Sequence, residues 1–440
     1  MPNRRSTTLS RADEAYALLR QRITRCELAP GTAVTARELA DDLGLGLTPV
    51  REALTQLHRE RLVVTMPRRG YRVAPVTATG VRDCLEVWAV VRPRIVALAV
   101  TRASAEAARR ICALMDDGLD TWADTPTVHA GLENRSRAWS LITAEAGNGL
   151  LADVYRLLDG GLLRLRAVLP DGTPLPALPA PAWAELFATR DAERATRRAA
   201  AEIEAFRAAV RPLLARLEDA GPGVDEPDGA GAGSLTDAAW AALRRRIIDG
   251  RLPPGARLTE RALSAELGLG ITPVREALAR LDHERLVLTL PRTGYVVTDT
   301  TPQDVLDTVQ VWAYLAPTLV GLAVRHATPA EARRIVALMT APADDPVTLT
   351  ENRSQGWRLV AQAGRNVVLG DVVGLVDGAL SRLFARLLTG PASPVRAAPL
   401  DWARLFAERD QERARTDADR YAAALDEVAH WAVDEVARRA

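Results

Sequence analysis

The chain carries the same sequence twice. Asp-Leu-Gly-Leu-Gly-Leu-Thr-Pro-Val-Arg-Glu-Ala-Leu at 42–54 returns at 266–278 as Glu-Leu-Gly-Leu-Gly-Ile-Thr-Pro-Val-Arg-Glu-Ala-Leu. The match continues through Glu-Arg-Leu-Val (60–63 and 284–287) and Pro-Arg-x-Gly-Tyr (67–71 and 291–295). An offset of 224 residues is far longer than the unit of a solenoid. The repeated unit is therefore a domain or a pair of domains, and its fold must occur twice.

The distribution of charge is more informative than its total. A net charge of +1 over 440 residues does not by itself indicate a nucleic-acid partner. However, residues 1–80 contain 13 Arg and 8 acidic residues, and the chain has no Lys. Arginine suits bidentate contacts to phosphate and guanine.

Several classes of protein are disfavoured by what the sequence lacks. The three cysteines, Cys26, Cys84 and Cys112, all lie in the first copy, so the copies share no disulfide or metal framework. No apolar run is expected to approach the roughly 18 residues of a membrane span. A phosphate-binding glycine loop, a nucleophile with a suitable His and a repeated carboxylate pair are also missing. We therefore expect a cytoplasmic protein that is not an enzyme.

Each copy opens with a helix–helix–helix–hairpin pattern, over residues 11–76 and 235–300. In copy one, an apolar helical stripe ends near Pro30-Gly31, and a short helix 35–43 ends at Gly44. Thr48-Pro49 predicts the next helix, with Thr as N-cap and Pro in the first helical position. Residues 62–64 and 71–73 predict two strands around a basic turn. This order predicts a winged helix-turn-helix, which presents one helix to the major groove of DNA.

The rest of each copy, residues 78–217 and 302–440, shows helical periodicity only. In copy one the stripes fall at 84–100, 107–115, 136–145, 150–168 and 183–216. The glycine-rich segment 218–234 predicts a flexible linker. The predicted fold class is mainly α: two winged helix-turn-helix domains, each followed by an all-helical bundle domain.

Arg51, with its equivalent Arg275, is the strongest candidate for a DNA contact. With Thr48 as N-cap, Arg51 falls in the first helical turn, where a cation opposes the helix dipole by roughly 0.3–1 kcal/mol. The same unfavourable choice in both copies predicts an outside anion or base edge as partner. The alternative is an arginine that pairs with Glu52 or Glu38, or one that is solvated.

Other basic residues could reach the same groove. Arg37 and Arg261 stand just inside the preceding helix, although a solvated helix face explains them as well. The turns Pro67-Arg68-Arg69-Gly70 and Pro291-Arg292-Thr293-Gly294 could approach the sugar-phosphate backbone, since Gly permits positive φ. The alternative for both is an ordinary hairpin turn. The run Arg244–Arg246 is interpreted as a solvated helix face.

The stretch Thr-Pro-Val-Arg-Glu-Ala-Leu and its surroundings resemble the GntR family of bacterial transcription factors, in its FadR-like branch. That branch joins a winged helix to an all-helical ligand-sensing domain called FCD, and the resemblance covers nearly the whole chain twice. Ala-Glu-Ala-Gly-Asn at 144–148 and Gln-Ala-Gly-Arg-Asn at 362–366 carry the helical part. The resemblance implies that these residues contact operator DNA: Arg37, Thr48, Arg51, Gly70, Arg261, Thr272, Arg275 and Gly294.

Both copies depart from the family pattern in two places. Where the family has Ser-Arg, this chain has Gly46-Leu47 and Gly270-Ile271, which removes a contact of about 1–3 kcal/mol and puts the family's usual operator in doubt. Where relatives bind a divalent metal through an Asp and a His four residues on, this chain has Arg and Trp. The later ligand segments, 180–202 and 399–421, contain no His. We expect no metal or other cofactor.

The residues at the lost metal site, Arg135 and Trp139 with Arg353 and Trp357, lie at i and i+4 on one helix face. In one interpretation, Trp fills the vacated cavity and Arg turns to solvent or an acid. In the other, the guanidinium replaces the metal's charge and binds an effector carboxylate. The family pocket would then also include two asparagines, Asn148 and Asn366.

These features predict a transcriptional regulator, most simply a repressor, that acts as a covalent pseudo-dimer on an operator with two half-sites. A homodimer of such chains, with four winged helices, is the alternative assembly. Two other functions stay open. One is a weakly specific architectural DNA-binding protein; the other is a regulator with only one DNA-competent winged helix.

Overall fold

The computed structural model describes residues 10–66, 70–116, 125–168, 183–219, 235–290, 293–388 and 400–439. The chain divides into two compact units, Met1–Glu226 and Pro227–Ala440. In those ranges, each unit has one small three-stranded sheet and is otherwise helical or irregular. The predicted fold class is confirmed: mainly α, with two winged helix-turn-helix domains that are each followed by helices.

Winged helix 1 consists of six short elements. They are α1 (Arg11–Thr24), β1 (Ala33–Val34), α2 (Ala36–Leu43), α3 (Leu47–Arg59), β2 (Val63–Met66) and β3 (Gly70–Val73). Capping boxes at Ser10 and Thr35 start α1 and α2, and Gly44 ends α2 in the left-handed conformation. β3 lies between β1 and β2 and is antiparallel to both. The two-residue strand β1 is too short for the sequence to have predicted.

Helical domain 1 follows. Its helices are α4 (Ala78–Arg102), α5 (Ala105–Asp116), α6 (Thr125–Glu145), α7 (Gly149–Val168), α8 (Trp183–Thr189) and α9 (Ala192–Asp219). The single stripe predicted over 183–216 is two helices, because Arg190 turns the chain with a φ of 52° and Asp191 accepts a hydrogen bond from the first turn of α9. The linker was predicted from residue 218, but α9 continues to Asp219. Residues 220–234 lie outside the described ranges.

The second unit repeats this order. Winged helix 2 comprises α10 (Leu235–Ile248), β4 (Arg257–Leu258), α11 (Glu260–Leu267), α12 (Ile271–His283), β5 (Val287–Leu290) and β6 (Gly294–Val297). Helical domain 2 comprises α13 (Pro302–His326), α14 (Pro329–Thr340), α15 (Pro346–Ala363), α16 (Val367–Leu388), α17 (Trp402–Glu408) and α18 (Gln411–Arg439). β6 lies between β4 and β5.

The start of the recognition helix corrects the sequence prediction. α3 begins at Leu47, with Gly46 as N-cap and no capping side chain, so Thr48 is the second helical residue. α12 repeats this arrangement, and Thr272 is not a cap either. Arg51 therefore lies in the second helical turn. Because the helix dipole acts mainly within the first turn, the dipole argument for an outside anion does not hold.

α13 is the apolar centre of helical domain 2. By length and composition alone it could cross a membrane, so the expectation that no segment comes near that length is wrong for this helix. Its side chains Val311, Leu315 and Leu319 are at most 1% exposed, and it packs along α18. Burial inside a helical domain accounts for this composition.

Candidate nucleic-acid interface and helical-domain cores

The recognition helix α3 has one buried face and one exposed face. The buried face, which packs against α1, consists of Val50, Ala53, Leu54 and Leu57. Thr48 and Arg51 lie three residues apart on the other face and are exposed. In α12, Thr272 and Arg275 are exposed in the same way. Each winged helix therefore presents a Thr and an Arg side by side to solvent.

The two recognition arginines differ in their surroundings. Nε and Nη2 of Arg275 donate to the carboxylate of Glu260, the first residue of α11, over 2.8 to 3.0 Å. This hydrogen-bonded pair raises the pKa of Arg275. Copy one has Ala36 at the equivalent position. Among the residues that the structure describes, no carboxylate pairs with Arg51, so only copy one presents an unpaired guanidinium.

The arginines of the preceding helix are also exposed. Arg37 and Arg261 are the second residues of α2 and α11, in the first turn of the helix that precedes the recognition helix. Their exposure fits a phosphate contact and a solvated helix face equally well.

The wing glycines have a structural reason to be glycine. Gly70 has a φ of +90°, and a Cβ there would lie 2.7 Å from the carbonyl oxygen of Val34 in β1. Gly294 has a φ of +105°, and its Cβ would lie 2.4 Å from the carbonyl oxygen of Leu258. Both contacts are closer than a side chain tolerates, so the sheet alone requires glycine. The predicted wing contacts Arg68, Arg69 and Arg292 lie outside the described residues.

Comparison with known proteins assigns the regions that contain these residues to a protein family. The sequence model for bacterial regulatory proteins of the gntR family matches residues 11–73 and again residues 235–297. The chain carries two GntR-family helix-turn-helix domains. Residues 11–73 and 235–297 are hereafter the two GntR domains.

The curated relatives are helix-turn-helix regulators. An uncharacterized regulator of Agrobacterium vitis is 28% identical over 130 residues, which cover 30% of this chain and 76% of that protein. The transcriptional repressor GlaR of Escherichia coli K12 is 36% identical over 91 residues (21% of this chain and 40% of GlaR). The regulator McbR of the same organism is 32% identical over 106 residues (24% and 48%). The chain thus spans less than half the length of GlaR and of McbR.

One solved structure matches just under half of the chain. The structure of E. coli McbR/YncC matches 47% of this chain and 98% of its own, with 20% identity and a TM-score of 0.35.

Each GntR domain is fastened to its helical domain by a buried ionic junction. In copy one, Nη2 of Arg20 in α1 donates to Asp159 in α7 over 2.6 Å, and its Nε lies 3.4 Å from Glu60. Ser136 and Tyr155 also donate to Asp159, over 2.9 and 2.7 Å. Asp159 therefore connects the GntR domain with both α6 and α7.

The equivalent junction in copy two corrects the prediction of a solvated face at Arg244–Arg246. Arg244 is 3% exposed and donates to Glu284 over 3.2 Å and to Asp377 over 2.8 Å. Ser354 and Arg358 of α15 donate to the same Asp377 oxygen over 2.7 and 2.9 Å. The other two arginines of the run do lie nearer solvent. Periodicity cannot reveal such a residue, because its burial depends on a carboxylate more than 130 positions away.

The tryptophans predicted at the lost metal site belong to aromatic cores. Trp139 is 3% exposed, and its ring lies 6.1 Å from Trp88 and 5.9 Å from Trp183. In copy two, Trp357 lies 4.6 Å from Trp312 and 5.2 Å from Trp402. This packing supports the interpretation that tryptophan fills the space.

The other predicted effector residues have local roles. Asn148 and Asn366 are buried, and their Oδ1 atoms accept the backbone N–H groups of Leu151 and Leu369 over 2.9 Å, which fixes the starts of α7 and α16. Nη1 of Arg353 donates to a carbonyl of α14 over 3.0 Å. Arg135 is partly buried, and the loss of hydration lowers its pKa.

Sequence reasoning missed Glu260 and a buried pair in helical domain 1, Arg92 and Glu202. The sequence did contain a signal for these three residues, because each stands at a position where the two copies differ in charge. Their equivalents are Ala36, Ala316 and Tyr421. A comparison of the copies position by position would have singled out all three.

Proposed function

We propose that this chain is a DNA-binding transcriptional regulator, most simply a repressor, that reads an operator with two half-sites. One observation carries the proposal: a single polypeptide presents the same exposed Thr and Arg face on two GntR-family recognition helices. An arginine on such a face can bind O6 and N7 of guanine in the major groove. Arg37 and Arg261 with the wing residues Arg68, Arg69, Gly70, Arg292 and Gly294 would position the domains on the sugar-phosphate backbone.

The two GntR domains of one chain would act as a covalent pseudo-dimer. A tether of roughly a dozen residues converts the second binding event into an intramolecular one, with an effective concentration in the millimolar range. A homodimer of chains, with four winged helices, is the alternative assembly. The helical domains would then adjust DNA binding in response to a small carboxylate in the bacterial cytoplasm, without a metal cofactor.

A second candidate is a regulator in which only winged helix 1 reads bases. The ion pair between Arg275 and Glu260 favours it, because Arg275 must leave a bidentate carboxylate before it can contact guanine. Glu260 also places a negative charge beside the predicted path of the phosphates. Under this candidate, only one half-site is read in sequence detail.

The experiment is selection of genomic fragments by the full-length chain, followed by footprinting on the selected fragment. A regulator protects one discrete segment that spans two half-sites. The double variant Arg51→Ala/Arg275→Ala loses this protection, whereas Arg334→Ala, an exposed arginine of α14, retains it. Uniform protection with a steep salt dependence would instead identify an architectural protein.

The single variants separate the two candidates. If both GntR domains read bases, Arg51→Ala and Arg275→Ala each shorten the footprint from opposite ends. If only winged helix 1 does, Arg275→Ala leaves both the footprint and the affinity as they were.

A further inference from the structure

The first residue of the recognition helix α12 is an exposed isoleucine. Ile271 directly follows the N-cap Gly270, and it is 44% exposed although it is large and apolar. Among the described residues, the apolar core of winged helix 2 and the side chains packed on that core do not include Ile271. Burial of apolar surface is what an isoleucine ordinarily contributes to a fold. Winged helix 2 therefore gains little stability from an isoleucine at this position.

Ile271 belongs to the exposed face that also carries Thr272 and Arg275. Ile271 and Arg275 are four residues apart, and Thr272 and Arg275 are three apart, so the three side chains are neighbours on the helix surface. Side chains of an α-helix lean toward its N-terminus, which places Ile271 at the leading edge of this face. A recognition helix in the major groove contacts base edges with its N-terminal residues. Ile271 is thus positioned to meet a base.

The residue before Ile271 leaves room for that approach. Gly270 forms no side-chain cap, and its φ of −62° is one that any residue adopts. A Cβ at Gly270 would lie 3.5 Å from Cδ of Pro273, which is an ordinary contact. Neither backbone strain nor crowding within the protein requires glycine here. Its effect is to keep the space beside Ile271 clear for the close approach of another molecule.

The chemistry of Ile271 matches one feature of the major groove. The apolar group that base edges present there is the 5-methyl group of thymine, whereas the other groups are hydrogen-bond donors and acceptors. An aliphatic side chain would leave those polar groups unpaired, which costs free energy. The neighbouring Arg275 is held by Glu260 over 2.8 to 3.0 Å in the free protein. Ile271 is therefore accessible to a base without the loss of an ion pair.

The equivalent residue of winged helix 1 has different surroundings. Leu47 is half-buried and packs against the apolar core of its own domain. The recognition face of α3 instead presents Arg51, for which the described residues provide no carboxylate partner. The two recognition helices thus offer different chemistry to DNA, a guanidinium in winged helix 1 and an aliphatic side chain in winged helix 2.

We propose that Ile271 is a specificity-determining residue of winged helix 2, which packs its side chain against the 5-methyl group of one thymine in the major groove. Winged helix 1 reads guanine through Arg51 at the corresponding place. The two half-sites of the operator therefore differ in sequence. This inference rests on the proposed function, because it needs an operator that both winged helices contact.

The test replaces thymidine by deoxyuridine, one position at a time, in the operator fragment that the full-length chain selects. Deoxyuridine keeps the hydrogen-bonding groups of thymidine and lacks only the 5-methyl group. We expect one position at which this replacement weakens binding about fourfold, the contribution of one buried methyl group. Ile271→Ala should weaken binding to the unmodified operator by about the same factor, and deoxyuridine at that position should then cause no further loss.

Leu47→Ala is the matched control from the other copy, and it should retain the full effect of deoxyuridine at that position. If no single deoxyuridine changes the affinity, or if Ile271→Ala retains the whole effect of the methyl group, the inference is wrong. A discrete footprint on the unmodified operator would persist in both cases, so the regulator assignment would stand. Uniform protection of the DNA would overturn the regulator assignment and this inference together.

Discussion

The junction between winged helix and helical domain keeps the same Arg, Glu and Asp in both copies, whereas the core of the helical domain does not keep its charged pair. Arg20, Glu60 and Asp159 return as Arg244, Glu284 and Asp377 in the same ionic arrangement. In the core, by contrast, the charged pair is replaced by Ala316 and Tyr421. The ionic contacts that join the two domains are thus shared by the copies, while the residues of the helical core differ. The recognition helices also differ between the copies, because Arg275 is paired with a carboxylate and Arg51 is not.

The largest expected effect concerns the junction. Asp377→Ala removes the partner of Arg244 and Arg358 and leaves a buried cation, which should cost about 3–5 kcal/mol in the free energy of unfolding of the second unit. Asp159→Ala should cost less in the first unit, because the side chain of Arg20 is 20% exposed against 4% for Arg244. Urea unfolding of the full chain measures both. The reverse order would show that burial does not set the strength of the junction; the exposed Glu106→Ala is the control.

The second-largest expected effect is on operator affinity, and it differs between the two recognition arginines. Arg51→Ala should weaken operator binding by about 10- to 100-fold, the loss of one bidentate base contact. Arg275→Ala should weaken it less, because the free protein already satisfies that guanidinium through Glu260. Mobility shifts on the selected operator provide the comparison. Equal losses would mean that the ion pair has no influence on recognition.

A smaller effect separates backbone strain from steric clash in winged helix 1. Gly31 and Gly70 have nearly equal φ values of +86° and +90°, but a Cβ at Gly31 meets nothing within 4 Å. Gly31→Ala should therefore cost about 1 kcal/mol of stability from backbone strain alone. Gly70→Ala should cost about 1–3 kcal/mol, because its Cβ would also strike the carbonyl of Val34. Thermal unfolding distinguishes them, and identical losses would remove the steric argument for the wing glycine.

The smallest expected effect comes from exchanging one residue between the copies. Glu260→Ala frees Arg275, and Ala36→Glu gives Arg51 the same kind of partner. Because an exposed ion pair contributes about 0.2–1 kcal/mol, operator affinity should rise by a factor of about 1.4 to 5 in the first variant and fall by a similar factor in the second. The pair of variants tests one interaction in both directions. If both shift affinity the same way, the difference between the copies has another origin.

The sequence predicted well what depends on neighbouring residues. The stop at Gly44, the hairpin and the helical stripes were all read from local signals. The recognition helix starts at Leu47, two residues before the predicted first helical residue Pro49. Gly46 can serve as N-cap, and Pro49 is equally acceptable in the third helical position, where no intrahelical donor is needed. The sequence analysis missed Arg92 and wrongly placed Arg244 on a solvated face, since a helical stripe gives no information on a carboxylate from a distant helix.

The candidate site divides in the same way. Thr48, Arg51 and their equivalents are exposed as expected, because the apolar spacing of α3 and α12 fixes which face is free. The predicted effector asparagines proved to cap helices, while Glu202, which nothing local marks, is buried and pairs with Arg92. Their roles toward DNA and ligand stay predictions.

The carboxylate that holds Arg275 implies an order of events at a promoter. Arg51 of winged helix 1 can contact bases directly, whereas Arg275 of winged helix 2 must first break its ion pair with Glu260. Two bound forms would then coexist: one in which only winged helix 1 contacts its half-site, and one in which both winged helices contact theirs. Added salt weakens the phosphate contacts of both winged helices, but it also weakens the ion pair between Arg275 and Glu260. Protection of the two half-sites would therefore decrease differently as the salt concentration rises.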